Sequence, residues 1–150
     1  MLILVVDNEG RHPDHVRDWL EMKWRQAWGR PEPIPEIRGA HSYPEALKIL
    51  ASEGSQVRVV LTDVLLSRVK EECGPALFWF VKDKWPTAKL FLTSAYLYGT
   101  IREDTGYNEL PSEEEGDWQF IDGRDRDWCE LNWLHRALFN CDAPEESPFV

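Results

Sequence analysis

The chain is poor in the features that mark several large protein classes. Only three cysteines occur among 150 residues. Cys73, Cys129 and Cys141 are far apart and odd in number, so they form neither a disulfide framework nor a CxxC or metal-ligand pattern. A reduced, cytoplasmic setting is expected. No run approaches the roughly 20 apolar residues that a membrane span needs. The opening "MLILVVDNEG" lacks a basic leader and a small-residue cleavage site, so no signal peptide is expected. Positive charge is scarce. Seventeen Lys and Arg face 27 Asp and Glu, for a net charge of -10, and no lysine follows Lys89. This balance argues against a chain that grips nucleic acid. Part of the excess is local: residues 103–117, "EDTGYNELPSEEEGD", hold seven acids and no lysine or arginine, and read as a solvated loop. GxSxG, P-loop and Cys–His arrangements are also missing.

What is present is an alternation of two patterns. Apolar residues make up 43% of the chain, enough for one domain with a proper core. "LILVVD" (2–7) is a continuous apolar run, the mark of a strand buried on both faces. "HPDHVRDWLEMKWRQAW" places Val16, Leu20, Lys23, Trp24 and Ala27 at helical spacing, flanked by Trp19 and Trp28, with Asp14 suited to the helix start. "GRPEPIPE" stops that helix. "IPEIRGA" reads as a second strand. "SYPEALKILASEG" reads as a helix with Ser42 and Glu45 at capping-box spacing, Pro44 in its first turn and Gly54 at its end.

"VRVVLTD" is a third strand, "GPALFWFVKDKWP" a helix, "AKLFLTSA" a fourth strand and "WQFID" a fifth. "DRDWCELNWLHRALF" reads as one last helix, with Leu131, Leu134, Ala137 and Leu138 on one face. "DAPEESPFV", from about residue 142, reads as a frayed tail. Such alternation predicts an α/β fold, a parallel sheet with helices on both faces. The crevice of an open parallel sheet lies at the carboxyl ends of its strands. Those ends carry Asp7, Asn8 and Glu9, then Asp63, then Thr93 and Ser94, which should converge on one rim. Trp24, Trp79 and Trp85 are expected to pack on the sheet. Trp118, Trp128 and Trp133 are expected near the face of strand five and the last helix. His12 and His15, near the rim, are expected to be exposed, and the four histidines show no ligand spacing.

This constellation resembles the receiver domain of two-component response regulators. The resemblance rests on "LILVVDNE", "EIRGAHSYPEALKIL", "VVLTDVLLS", "GPALFWFVKDKWP" and "KLFLTSAY", in that order across nearly the whole chain. It implies a flavodoxin-like doubly wound sheet in the order 2-1-3-4-5, as a single domain over 1–150. It implies Asp63 as phosphoacceptor, with Asp7, Asn8, Asp63 and the backbone carbonyl of Leu65 around a Mg2+ ion. Ser94 would be the hydroxyl that closes on the phosphoryl group, with Thr93 its rival one residue earlier, and Phe120 the aromatic switch. The implied partners are a sensor histidine kinase or phosphotransfer protein and a downstream protein. Neither nucleic acid nor membrane is expected as a partner, and no enzymatic turnover beyond self-phosphorylation.

The chain also departs from the family pattern. Asn8 replaces an acid, which should weaken metal binding. Gly123 stands at the lysine position after strand five and Arg124 beside it, a possible substitute of different geometry. The loop after Asp63 is longer. The stretch after Ser94 has poor helical periodicity, so the fourth helix should be remodelled. Simpler roles remain open: an Asx turn at Asp7–Asn8, a helix cap at Thr93–Ser94, a surface position for Arg124. Three functions are therefore in view. The first is a phosphorylated receiver, the second a pseudo-receiver that works as an interaction module without phosphorylation. The third is a small α/β phosphatase-type hydrolase, whose second aspartate two residues after the first is missing here.

Overall fold

The computed structural model describes residues 1–66, 70–94, 118–122 and 126–144, without the side chains of Lys70, Trp118, Asp122, Arg126 and Asp127. Arg124, the stretch after Ser94 expected to hold the altered fourth helix, the acidic run and the last six residues lie outside this description.

Five strands form one parallel sheet. They are β1 (Leu2–Val6), β2 (Glu36–Ala40), β3 (Val57–Asp63), β4 (Lys89–Ser94) and β5 (Trp118–Asp122), in the spatial order β2-β1-β3-β4-β5. The flavodoxin-like order expected from the sequence is thus the observed one. Among the described residues five α-helices accompany the sheet: α1 (His12–Met22), α2 (Tyr43–Glu53), α3 (Gly74–Lys84), α4 (Arg126–Glu130) and α5 (Asn132–Phe139).

The continuous apolar runs are explained by two cores, one on each face. Alternate residues of a strand point to opposite sides. Leu2, Leu4 and Val6 join the core under α2 and α3 with Leu90 and Leu92. Ile3 and Val5 join the core under α1 and α5 with Phe91 and Ile121. In β3 the alternation slips once. Val57 and Val60 face one core, Val59 and Leu61 the other. The slip coincides with a register shift, in which Leu2 pairs with Val57 and Ile3 with Val59. Arg58 is the extra residue, and it is exposed, as a bulge at a strand start allows.

The first helix buries Val16, Leu20, Trp24 and Trp28, four residues apart throughout. In an α-helix each such step drifts about 40° around the axis. The chain corrects this by widening into a π-helical turn over Lys23–Ala27, with Trp28 N donating to Lys23 O at 2.8 Å. A wider turn drifts the other way. The stripe stays over the sheet, and Lys23 and Ala27, expected on it, are only half-buried. Trp24 is fully buried and donates its Nε1 hydrogen to Glu32 O at 2.7 Å, so the proline-rich connection satisfies the indole.

At α2 the expected cap is present. Ser42 Oγ accepts from Glu45 N at 3.2 Å, and Glu45 Oε2 accepts from His41 N at 2.9 Å, one residue earlier than the usual return bond. The last helix differs from the sequence expectation. It is broken at Leu131, a buried residue with φ 58°. In an unbroken helix residues five apart lie about 140° apart around the axis. The break instead stacks Trp128 on Trp133, centroids 6.0 Å apart and planes 6° from parallel, with both rings buried against the sheet. The tail is not loose at its start, because Ala143 N donates to Asn132 Oδ1 at 2.8 Å. Trp79, expected on the sheet, lies on the outer side of α3 and is 36% exposed.

Gly74 opens α3 directly against the end of β3. A Cβ there would lie 2.1 Å from Asp63 O, a clash with backbone that no rotamer relieves. Gly74→Ala is therefore expected to lower unfolding free energy by about 2–3 kcal/mol in urea titrations. Cys73→Ala is the companion: it should cost less, since a deleted small thiol leaves a small void.

Candidate functional site

The carboxyl ends of β1 and β3 lie side by side, since Val6 pairs with Thr62. The next residues, Asp7 and Asp63, therefore meet at one rim. Asp7 is 2% exposed, and its charge is met by the chain's own backbone. Its Oδ1 accepts from Glu9 N at 3.0 Å; its Oδ2 accepts from Arg11 N and His12 N, each at 2.9 Å. The first bond is the Asx turn that the sequence left open. The other two cap α1, which has no side-chain cap of its own, and place a carboxylate at the positive end of the helix. The turn between them is tight. Gly10 has φ 74°, its N donates to Asp7 O at 3.1 Å, and a Cβ would press on the His41 ring at 2.7 Å.

Asp63 has a 15% exposed side chain, at the edge of the crevice. Its backbone is locked by the sheet, Val64 N donating to Thr93 O and Gly74 N to Val64 O, each at 3.0 Å. Between the two carboxylates lies His12, in the first turn of α1. Its Nδ1 is 3.3 Å from Asp63 Oδ1 and 3.7 Å from Asp7 Oδ2. The residue is half-buried; its Nδ1 is out of contact with solvent, yet makes no aligned hydrogen bond. The ring is held edge-on against Trp128, centroids 5.0 Å apart, so the broken last helix also supports the site.

Electrostatics follow from this packing. Burial works to raise the Asp7 pKa, but the hydrogen bonds with the Asp63 carboxyl and from His12 and Glu9 N–H outweigh it and hold it at about 2. Asp63 goes the other way. Burial pushes its pKa up to about 6, the facing Asp7 adds to that, and His12 opposes it. Burial alone would lower the His12 pKa, but the carboxylates of Asp63, Asp7 and Glu9 raise it.

The other residues singled out by sequence divide. Thr93 is buried and its hydroxyl donates to Ile121 O at 2.8 Å, which commits it to the sheet interior. Ser94, at the end of β4, is half-buried and is the hydroxyl residue nearer the rim by register, since Asp63 pairs with Thr93. Phe120 is half-buried against the core under α2 and α3. Asn8 is exposed on the turn after β1, and Leu65 is half-buried after Asp63. His15 is exposed as expected.

His12 is the residue that sequence reasoning missed. It was expected to be exposed. The legible signal was its place five residues after Asp7, in the first turn of a helix that starts at the strand end. His135 is fully buried, with Nδ1 2.7 Å from Cys141 O, on the far part of the same face.

Asp7, His12 and Asp63 each offer a ligand atom, and these atoms lie within 4.8 Å of one another. Magnesium, the ion the resemblance implies, takes oxygen ligands in a near-octahedral shell. The two carboxylates fit that preference. The imidazole nitrogen does not. Moreover, a carboxylate has about four lone-pair sites, and Asp7 spends most of them on backbone N–H groups.

The fold is the one seen in response-regulator receiver domains. A receiver-domain protein from Clostridium thermocellum superposes with a TM-score of 0.65 at 18% identity, covering 93% of this chain and 94% of that one. The beryllofluoride-activated receiver domain of DrrB gives 0.63 at 15% identity over 91% and 96%. One from Methanospirillum hungatei gives 0.62 at 17% identity over 93% and 94%. No family model and no curated protein matches the chain. Among the described residues, no helix is long and apolar enough to cross a membrane.

Two opposite pH effects follow for the metal-free protein. A pKa raised to about 6 in the fold, from 3.8, means that ionised Asp63 costs stability as pH rises through that window. Asp63→Asn should therefore raise the melting temperature, and by more at pH 8 than at pH 4. Asp7, lowered to about 2 from 3.8, contributes stability above pH 4 that is lost as pH falls toward 2. Asp7→Asn should lower the melting temperature at pH 7, with the difference shrinking toward pH 2. Calorimetric scans of the three proteins across this range check both signs.

Proposed function

We propose that the chain is an atypical receiver domain of phosphorelay signalling, a single domain over residues 1–150, in which Asp63 accepts a phosphoryl group. The supporting observation is the position of Asp63. It ends the central strand of a receiver fold, at the edge of a crevice, opposite the buried Asp7. One carboxylate oxygen of Asp63 would form the new bond to phosphorus, as the bond from phosphorus to the donor's histidine nitrogen or leaving oxygen breaks. Asp7 holds the turn and the start of α1 in register with it. Ser94 closes on the phosphoryl oxygens from β4, Phe120 moves with it, and Arg124 stands in for the missing lysine. Magnesium, held by Asp7 and Asp63 with Asn8 and the Leu65 carbonyl, would offset the charge gathered in the transition state; its binding is weak because Asp7 is already hydrogen-bonded and Asn8 is neutral.

The phosphodonor is a sensor histidine kinase or phosphotransfer protein, and the output is contact with a downstream protein. Phosphorylation shifts an equilibrium between two states of the domain that this partner distinguishes. No turnover is involved beyond self-phosphorylation, and the setting is cytoplasmic.

A second reading, a pseudo-receiver that binds its partner without phosphorylation, is favoured by one observation: the Asp7 carboxylate serves three backbone N–H groups of its own chain. Incubation with acetyl phosphate and Mg2+, followed by intact-mass spectrometry, separates the two. The phosphoacceptor reading expects one added phosphoryl mass, lost in Asp63→Asn and retained in Thr93→Val. No gain in the wild type, even with phosphoramidate, leaves the pseudo-receiver.

A further inference from the structure

The crevice brings together donors of two chemical kinds, carboxylate oxygen from Asp7 and Asp63 and imidazole nitrogen from His12. We propose that this cluster binds a borderline transition-metal ion of the Zn2+ class in preference to Mg2+, with His12 Nδ1 and Asp63 as its principal ligands and the lone-pair site that Asp7 does not spend on backbone N–H groups as a weaker third.

Four observations carry the proposal. The first is ligand chemistry. Imidazole suits zinc and its neighbours in the first transition row, whereas magnesium is served by carboxylate, carbonyl and water. A histidine between two aspartates therefore changes which ion the site selects. The second is the state of His12. Its Nδ1 is out of contact with solvent and makes no aligned hydrogen bond, standing 3.3 Å from Asp63 Oδ1 and 3.7 Å from Asp7 Oδ2 in ion-pair contact only. A buried polar atom whose contacts are poorly aligned is only partly satisfied, and a metal ion between it and the carboxylates would satisfy it.

The third is spacing. Ligands at zinc distances of about 2.0–2.1 Å, arranged tetrahedrally, stand about 3.4 Å apart, while neighbouring ligands of an octahedral magnesium stand about 2.9 Å apart. His12 Nδ1 and Asp63 Oδ1 are 3.3 Å apart, which matches the tetrahedral edge, and His12 Nδ1 and Asp7 Oδ2 are 3.7 Å apart, a few tenths of an ångström beyond it and farther still from the octahedral edge. The fourth is support around the ligands. Metal-binding residues are usually oriented by an outer layer of contacts. Here three backbone N–H groups fix Asp7, and Trp128, itself stacked on Trp133, packs against the His12 ring. Three protein ligands leave one tetrahedral position open, and the partial exposure of His12 and Asp63, 27% and 15%, puts that position toward solvent.

The inference does not depend on phosphorylation of Asp63. A protein that binds Zn2+ but gains no phosphoryl mass supports the metal site and removes the phosphoacceptor reading; the reverse result does the opposite.

The test uses the full chain, stripped with a chelator and desalted, in a Cys129→Ser, Cys141→Ser background that removes the exposed thiols. Calorimetric titration with ZnCl2 and with MgCl2 should show one Zn2+ bound per chain, tighter than Mg2+ by at least about tenfold. His12→Gln should weaken Zn2+ by at least about tenfold and leave Mg2+ nearly unchanged. His15→Gln should leave both unchanged. CoCl2 should give an intense visible band of tetrahedral Co2+ that is lost in His12→Gln and in Asp63→Asn. Equal affinity for the two ions, or Zn2+ binding unaltered by His12→Gln, would overturn the proposal. Circular dichroism of each variant confirms that it is folded, and the Asp63→Asn band provides a second reading if His12→Gln is not.

Discussion

The Asp7 carboxylate holds this end of the molecule together. It is buried at the end of an edge-free inner strand, where an uncompensated charge would be costly. Three backbone N–H groups from the next five residues compensate it. In doing so they fold the chain back at Gly10, start α1 and cap it. They also carry His12 into the crevice. One carboxylate therefore determines the turn, the direction of the first helix and the third side chain of the site. The contrast with Asp63 is one of partners. Asp63 is half-buried beside a carboxylate and a histidine, without a backbone donor among the described residues, so its proton is held to about pH 6 while that of Asp7 is released near 2. Pairs of acids driven apart in this way are common at functional sites.

Much of the scaffold was legible in the sequence because its signals are strong and local. The five strands fall where the apolar runs placed them. Continuous hydrophobicity correctly implied burial on both faces, and the cap of α2 was visible as Ser42 and Glu45. The meeting of Asp7 and Asp63 at one rim followed from strand ends alone, whereas Thr93, expected there too, is turned into the sheet interior. What was not legible depends on tertiary fit. The π-helical turn corrects a drift that shows only against the sheet. The break at Leu131 has no proline or glycine to announce it; its reason is the stacking of Trp128 on Trp133, which a helical-wheel reading cannot see. Thr93 and Ser94 are adjacent hydroxyl residues in sequence, and only the bond from Thr93 to Ile121 O separates their roles.

His12 shows the same limit at the site itself. A histidine at a helix start beside a proline reads as a surface residue. It enters the crevice because Asp7 draws the helix N-terminus against the strand end and because Trp128 closes the outer side of the ring. The aromatic layer and the acidic rim are thus connected: Trp133 packs on Phe91 of the sheet, Trp128 on Trp133, and His12 on Trp128. A change of charge or ligation at Asp63 and His12 would be felt first along this stack, at the face of α4 and α5.

The division of the two carboxyls is the centre of this physical picture, and carbon-13 NMR titration of the aspartate carboxyls in the metal-free protein reads it directly. Asp63 should titrate near pH 6 and Asp7 near 2, with Asp63 moving down in Asp7→Asn. An Asp63 that titrates near 4 in the wild type, or that does not respond to the loss of Asp7, would contradict it.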